Sequence, residues 1–197
     1  MIKKIAWSVD SRLSEIGFKI KNMKIAKVRG HFQSVDSRIT TNGNSFKDAK
    51  VQVVIQAESI NTGNPHRDEN LRSADFLDVE HHKQITFQST GLEIKKGQRK
   101  HELWGELTIK GITKLIVLRV EIGELEKDPW GNETTDIKIR GKIKRLDWEI
   151  GLNSPTGDTA ATIGKNIKIA CEVELHHHVQ PLVNLIPESE DGHHLVL

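Results

Sequence analysis

The side chains that could carry chemistry are scattered along this chain in patterns that do not favour catalysis. The sequence has no GxSxG, GxGxxG or HExxH motif and no phosphate-binding glycine loop. Its paired acids, such as Asp68 and Glu69, stand where a helix would begin, and there they complement the positive end of the helix dipole. We therefore predict that the protein is not an enzyme and has no cofactor.

Ten histidines require a metal site to be considered. His81 and His82 are adjacent and follow an acidic stretch, with His66 earlier in the chain. Neighbouring side chains on a strand point to opposite faces, so this pair could share a metal only within a loop. We favour an exposed polar loop and predict no metal site. The run 176–178 would bind nickel or zinc in any sequence and indicates little about biology.

A stripe of basic residues is the best candidate for contact with an anionic partner. Its members are Lys138, Arg140, Lys142, Lys144 and Arg145. Proteins that bind single-stranded nucleic acids interleave such a stripe with aromatic side chains, and aromatics make up only 5% of this chain. Antiparallel pairing with the strand that carries Glu172 and Glu174 would place opposite charges side by side. We interpret the stripe as a solvated outer face and expect no nucleic-acid partner.

Length and composition indicate an ordinary globular chain. It has 197 residues, of which 36% are hydrophobic, and a formal net charge of +2. Its single cysteine, Cys171, cannot form an internal disulfide. No stretch approaches the length of about eighteen apolar residues that a membrane span needs. The basic N-terminus lacks the apolar segment of a secretory signal, so we expect a cytoplasmic protein, or a periplasmic one if a leader was removed.

Alternation of apolar and polar residues with a period of two is the dominant pattern. It is clearest over 137–144 and 167–175, and about eight such segments occur between turn residues. The segment 65–77 departs from this pattern and predicts a short helix, capped by Asn64 and begun by Pro65. About eight antiparallel strands with so little helix must pack as a sandwich or close into a barrel.

The apolar side of these strands, with two residues of the helical segment, is the candidate ligand-binding surface. Its sixteen members are Ile16, Phe18, Ile20, Phe32, Val51, Val53, Ile55, Leu71, Phe76, Phe87, Leu107, Ile109, Leu118, Val120, Ile139 and Ile169. They could fill a solid core, or they could line a cavity for one hydrophobic ligand. Periodicity alone leaves these two alternatives open.

Five segments, in order, resemble the YceI-like family. They are WSVD at 7–10 with SEIGFKI at 14–20, VRGHF at 28–32, HRDENLRSADFLDV at 66–79, LTIKGITK at 107–114 and DPWGNE at 128–133. The resemblance runs from about residue 5 to residue 175. It implies a closed, antiparallel, eight-stranded lipocalin-like barrel that holds a long-chain lipid, usually named as a polyisoprenoid. It also implies an absence of catalysis, and a homodimer.

The resemblance further implies that residues 1–175 form the barrel domain, in which the sixteen apolar residues line a real pocket. Arg67 and Arg72 are the headgroup candidates, able to bind a phosphate or carboxylate at the mouth. Alternatively, they cap the barrel by binding carbonyl groups or acids such as Asp75 and Asp78. The remaining residues, 176–197, form a C-terminal tail that is either native or vector-derived.

The chain departs from the family pattern at 81–84, where relatives often have Lys-Tyr-Pro and this sequence has His-His-Lys-Gln. This difference would alter the pocket rim. Two other functions stay open beside a lipid carrier. One is a solid-core barrel that binds a protein, for example through an outward-facing Trp104. The other is an enzyme acting on a bound lipid, which needs an inward-facing polar pair that the sequence does not reveal.

Overall fold

The computed structural model describes residues 4–22, 27–95, 97, 99–152 and 163–177. The strands are β1 (Lys4–Val9), β2 (Glu15–Asn22), β3 (Val28–Phe32), β4 (Val35–Asn42), β5 (Ser45–Gln56), β6 (Ile60–Asn61), β7 (Gln84–Glu93), β8 (Lys100–Ile109), β9 (Ile112–Ile122), β10 (Glu126–Lys127), β11 (Glu133–Lys144) and β12 (Ile163–His177). Helix α1 (Pro65–Arg72) lies between β6 and β7. Two 3₁₀ turns, Ala57–Ser59 and Arg145–Trp148, follow β5 and β11.

Eight of the strands close into an antiparallel barrel. Around the ring the order is β1, β4, β5, β7, β8, β9, β11 and β12, and β12 pairs again with β1. Closure gives each strand of the ring a neighbour on both sides over at least part of its length, which limits the exposed strand edges. The predicted fold class, a closed eight-stranded barrel with one short helical segment, is confirmed.

The most extensive pairing joins β11 to β12, over twelve residue pairs. It places Lys138 opposite Glu172, and the guanidinium of Arg140 donates to Glu172 Oε1 at 2.7 Å. The predicted pairing of the basic stripe with the acidic strand is therefore confirmed. β12 ends at His177, two residues beyond the position where the alternation ends, and 178–197 lie outside the described residues.

Arg145 was predicted on the solvated outer face, and this prediction is wrong. β11 ends at Lys144, and Arg145 begins the 3₁₀ turn that follows, in phase with the inward-facing Ile143. Arg145 is only 4% exposed, and its guanidinium donates to the carbonyl oxygens of Ile150 at 2.7 Å and Gly151 at 3.1 Å. The other four members of the stripe are two residues apart and face outward, whereas Arg145 is one residue out of phase with them.

Two strands, β1 and β2, pair along the same edge of β12. Its C-terminal part pairs with β1, and its N-terminal part pairs with β2, which continues into β3 and β6. The wall therefore divides, and the chain bends between β1 and β2 and again between β3 and β4. These bends cut long wall segments into shorter strands, which explains why more strands are present than sequence periodicity indicates.

Helix α1 begins as predicted and is shorter than the predicted segment. The Asn64 side chain accepts a hydrogen bond from the backbone N–H of Arg67 at 3.0 Å, with Pro65 in the first turn. The helix ends at Arg72, and the chain continues through turns that bury Phe76. Among the described residues, no helix is long and apolar enough to cross a membrane.

A buried tryptophan lies at each end of the barrel. At the upper end, where β1 begins, the Trp7 indole donates to Thr41 Oγ1 at 2.9 Å. At the lower end, beside α1, the Trp148 indole donates to the Leu107 carbonyl oxygen at 3.3 Å. Each indole fills apolar space and still satisfies its N–H group, which is what allows tryptophan to be fully buried.

Candidate functional site

The barrel encloses two adjoining cavities. The upper cavity has a volume of about 420 Å³ and the lower cavity about 360 Å³. Both volumes lie in the range of small-molecule sites, about 300–1,000 Å³. Six residues, which we call the waist, line both cavities: Ile16, Phe32, Val51, Val53, Leu103 and Ile139. The waist is entirely apolar, so the two cavities adjoin at a hydrophobic wall with no polar side chain between them.

All sixteen apolar residues that the sequence predicts as lining residues do line the cavities. Five of them belong to the waist, and Val120 lines the upper cavity alone. The other ten line the lower cavity alone: Phe18, Ile20, Ile55, Leu71, Phe76, Phe87, Leu107, Ile109, Leu118 and Ile169. Their contact with a ligand stays a prediction.

Two glycines explain why large aromatic side chains leave the interior open. Gly30 lies opposite Phe18 on the neighbouring strand, and a Cβ at Gly30 would come within 2.5 Å of the Phe18 ring. The Phe87 ring covers Gly105 in the same way. Each ring therefore lies against the wall, in space that a side chain would otherwise occupy, and does not extend across the barrel axis.

The polar residues of the lining differ between the two cavities. In the lower cavity they are Lys21, Arg67, Asn70 and Arg145. In the upper cavity they are Ser11, Ser14, Glu15, His31, Gln33 and Ser37. The polar part of the lower cavity is therefore cationic, whereas the upper cavity has hydroxyl, amide and imidazole groups and a carboxylate.

The two headgroup candidates occupy different positions. Arg67 lines the lower cavity, where its Nε donates to Thr62 Oγ1 at 2.8 Å and its Nη2 to the Thr62 carbonyl oxygen at 3.0 Å. Arg72 lies outside the described lining of both cavities. Its Nε and Nη2 donate to the carbonyl oxygens of Glu58 and Ile60 at 2.7 and 3.0 Å. These contacts, which tie α1 to the chain before it, are those expected of the capping alternative.

Comparison with known proteins identifies the family. Residues 7–175 match the family model of the YceI-like domain. This chain belongs to the YceI-like family. A UPF0312 protein of Staphylococcus aureus (strain N315) is 31% identical over 169 residues, which cover 85% of this chain and 95% of that protein.

Solved structures agree with this assignment. The Campylobacter jejuni YCEI protein is 32% identical with a TM-score of 0.70, covering 88% of this chain and 98% of the other. A polyisoprenoid binding domain from Saccharophagus degradans has a TM-score of 0.64 at 14% identity, over 88% of this chain and 99% of that domain. At this low identity, the second likeness demonstrates a shared fold alone.

The YceI-like chain has lining residues that the sequence analysis missed. Leu103, Ile143 and Ile167 are all in phase with predicted members of the same strands, so a longer list along each strand would have found them. The polar residues of the upper cavity are a different case. Most of them lie at or beside the bends of the wall, where alternation ends, so no local pattern marks them.

The histidine pair of this YceI-like protein lies on the surface. His81 is exposed, and its Nδ1 is 2.8 Å from Asp78 Oδ1, a hydrogen bond that raises the pKa of His81 and lowers that of Asp78. The His82 ring lies beside Gly111. In the described part of the chain, no three metal-ligating side chains converge. The arrangement is that of an exposed polar loop.

Cys171 lies in the wall of the lower cavity and is 4% exposed. Burial raises the pKa of its thiol to about 11, so the group stays protonated at neutral pH. A neutral, buried thiol acts as a small apolar side chain and extends the hydrophobic lining.

Proposed function

We propose that this YceI-like protein binds one long-chain hydrophobic ligand, a polyisoprenoid or another lipid, and acts as a carrier or sequestering protein. The observation that carries this proposal is the pair of largely apolar cavities that adjoin at the waist. A neighbour in fold is described as a polyisoprenoid binding domain, which agrees with the same ligand class.

The energetics favour a long chain over a compact ligand. Each methylene transferred from water into the apolar lining contributes about 0.8 kcal/mol. Two cavities placed end to end accept an elongated chain that gains this contribution along its whole length. Such binding needs few polar contacts.

Native mass spectrometry of the purified protein, followed by solvent extraction, tests the proposal. We expect a stoichiometric adduct that releases a molecule with a long hydrocarbon chain. A clean apo mass that persists after incubation with prenyl and acyl lipids would contradict it. That result would favour the alternative of a barrel without a ligand that interacts with another protein.

For a ligand that carries an anionic headgroup, Arg67 is the partner that the lining offers, because it lines the lower cavity and both of its described hydrogen bonds go to a neutral residue, Thr62. We assign Arg72 a capping role from its two carbonyl contacts. The charge reversal Arg67→Glu should lower occupancy by a prenyl phosphate. Unchanged occupancy would remove Arg67 from the site.

We also propose a homodimer formed through the outer face of β8 and β9. Trp104 is 39% exposed there and lies opposite Val117, which is exposed to the same extent, with the more exposed Leu115 further along β9. Exposed tryptophan is enriched in interfaces. Sedimentation velocity of Trp104→Ala should show dissociation, whereas the control Lys142→Ala, on the outer face of β11, should sediment like the wild type. Unchanged sedimentation of Trp104→Ala would refute this role.

A further inference from the structure

The barrel wall has a lateral opening between its two bends. The ladder between β1 and β4 ends at the pair Trp7 and Ile39, and the ladder between β2 and β3 ends at the pair Ile16 and Phe32. In the described structure, no backbone hydrogen bond joins residues 8–15 to residues 33–38, which face each other across this interval. We call this interval the lateral opening.

The first bend, between β1 and β2, is hydrogen-bonded to β12 and not to the residues across the opening. The Asp10 backbone N–H donates to the Glu174 carbonyl oxygen at 3.1 Å, and the Glu174 N–H donates to Ser14 Oγ at 3.0 Å. Both ends of the bend are therefore fixed to β12, on the side opposite the opening. Between them, Arg12 forms an ion pair with Asp10 at 2.8 Å, and Leu13 is exposed to solvent.

The second bend, between β3 and β4, is hydrogen-bonded to the end of β5 and the 3₁₀ turn after it, which also lie on the side away from the opening. The backbone N–H of Gln33 donates to the Ser59 carbonyl oxygen at 3.1 Å, and that of Ser34 to Ser59 Oγ at 3.1 Å. The Gln56 N–H in turn donates to the Ser34 carbonyl oxygen at 3.0 Å. Since each bend is hydrogen-bonded to the strand on its far side, the opening is a built feature of the wall and not a frayed ladder.

The lateral opening leads into the upper cavity. Residues from both of its edges line that cavity: Val9, Ser11, Ser14 and Glu15 on one edge, and Gln33, Val35 and Ser37 on the other. His31, at the end of β3, lies beside them. Ser37 is in phase with Val35 and Ile39, whose side chains face the interior, so a hydroxyl stands where alternation predicts an apolar group.

Hydrogen-bonding capacity is available at this opening. The side chains of Ser11, Glu15, His31, Gln33 and Ser37 form no hydrogen bond with another described residue; His31 and Ser37 are half-buried, and the other three are exposed at the mouth of the opening. Both donors and acceptors are present, and the described lining of the upper cavity contains a carboxylate but no lysine or arginine. A phosphate or carboxylate headgroup would be repelled by Glu15, whereas a hydroxyl or amide would find partners.

We infer that the lateral opening is the route by which the chain enters the barrel, and that it holds a neutral, hydrogen-bonding headgroup such as an alcohol or amide. This inference rests on the proposed function and adds to it. The hydrocarbon chain then extends through the waist into the lower cavity, with its headgroup distant from Arg67.

Two ligands that differ only in headgroup test the headgroup assignment, namely geranylgeraniol and geranylgeranyl phosphate. We expect the wild type to bind the alcohol more tightly, and the substitution Glu15→Lys to reduce or reverse that preference by improving phosphate binding about tenfold. Ser37→Val, which removes one hydroxyl, should weaken alcohol binding by about two- to tenfold. A preference for the phosphate that Arg67→Gln abolishes would overturn the inference.

The route is tested by blocking the opening. Gln33→Cys, labelled with a bulky maleimide, should slow geranylgeraniol uptake by about tenfold or more. The matched control is labelled Lys142→Cys, on the outer face of β11, which should load at the wild-type rate. Native Cys171 is buried and stays unlabelled. Equal loading of both labelled variants would overturn the route, whereas failure of the wild type itself to bind would contradict the proposed function.

Discussion

Blocking the waist is the sharpest test of whether one ligand occupies both cavities. Val53 lines both of them from β5, and its sequence neighbour Gln52 is exposed on the outer face of the same strand. The substitution Val53→Trp adds about seven non-hydrogen atoms at the waist, where each displaces about one ligand methylene. Losing only four methylenes costs about 3 kcal/mol, which is roughly a hundredfold in Kd.

The assay compares wild type, Val53→Trp and the matched control Gln52→Trp by titration with geranylgeraniol, after circular dichroism and thermal denaturation establish that each variant is folded. Gln52→Trp should bind like the wild type, because its indole lies outside the barrel. The open volume beside Val53 should accommodate the new ring with little loss of stability, in contrast to the 1–3 kcal/mol that overpacking of a filled core typically costs. A folded Val53→Trp with wild-type affinity would refute a ligand that passes through the waist.

Three further predictions concern single groups. The side-chain hydrogen bond from Arg12 lowers the pKa of Asp10 to about 2. This pair therefore stabilises the fold above the ordinary aspartate pKa of about 4, and its contribution is lost as the pH falls through 2. Arg12→Ala should raise the Asp10 pKa part of the way toward its ordinary value in an NMR titration, because the backbone N–H of residue 12 still donates to the carboxylate, and an unchanged value would argue against the pair. Arg72→Ala should lower the free energy of unfolding by about 1–3 kcal/mol in urea, because it removes two hydrogen bonds to carbonyl oxygens, whereas Asn70→Ala on the same helix tests for a nonspecific effect. Native Cys171, with its pKa raised to about 11 by burial, should not react with Ellman's reagent at pH 8 until the protein is unfolded, and rapid reaction in the native state would contradict its placement.

The strands and the inner face could be predicted from the sequence because their signal is local. A side chain two positions along a strand returns to the same face, whatever the rest of the fold does. For this reason the fourteen predicted lining residues that belong to strands all lie around the cavities. Asn64 caps α1 as expected, because a helix cap is also a local feature. Strand alternation likewise places Arg145 in phase with the inward-facing Ile143, so the error there came from grouping Arg145 with the basic residues of the outer face.

The lateral opening could not be predicted in the same way. Ser37 and His31 are separated by a bend, and Ser11 lies on another strand connection, so their common position depends on which strands become neighbours. That choice is made by the long strand β12, whose edge is shared between β1 and β2.

The sequence by itself determined the strands, their inward and outward faces and the family resemblance, since each of these depends on residues close together in the chain. Only the tertiary structure decided whether the apolar interior is filled. Whether a cavity remains depends on where the aromatic side chains lie, as with the Phe18 ring against Gly30. It also depends on the curvature of the wall, which is imposed by the pairing of β12 with both β1 and β11. A cavity is the volume left between strands distant in sequence, so no pattern within a single strand can specify it.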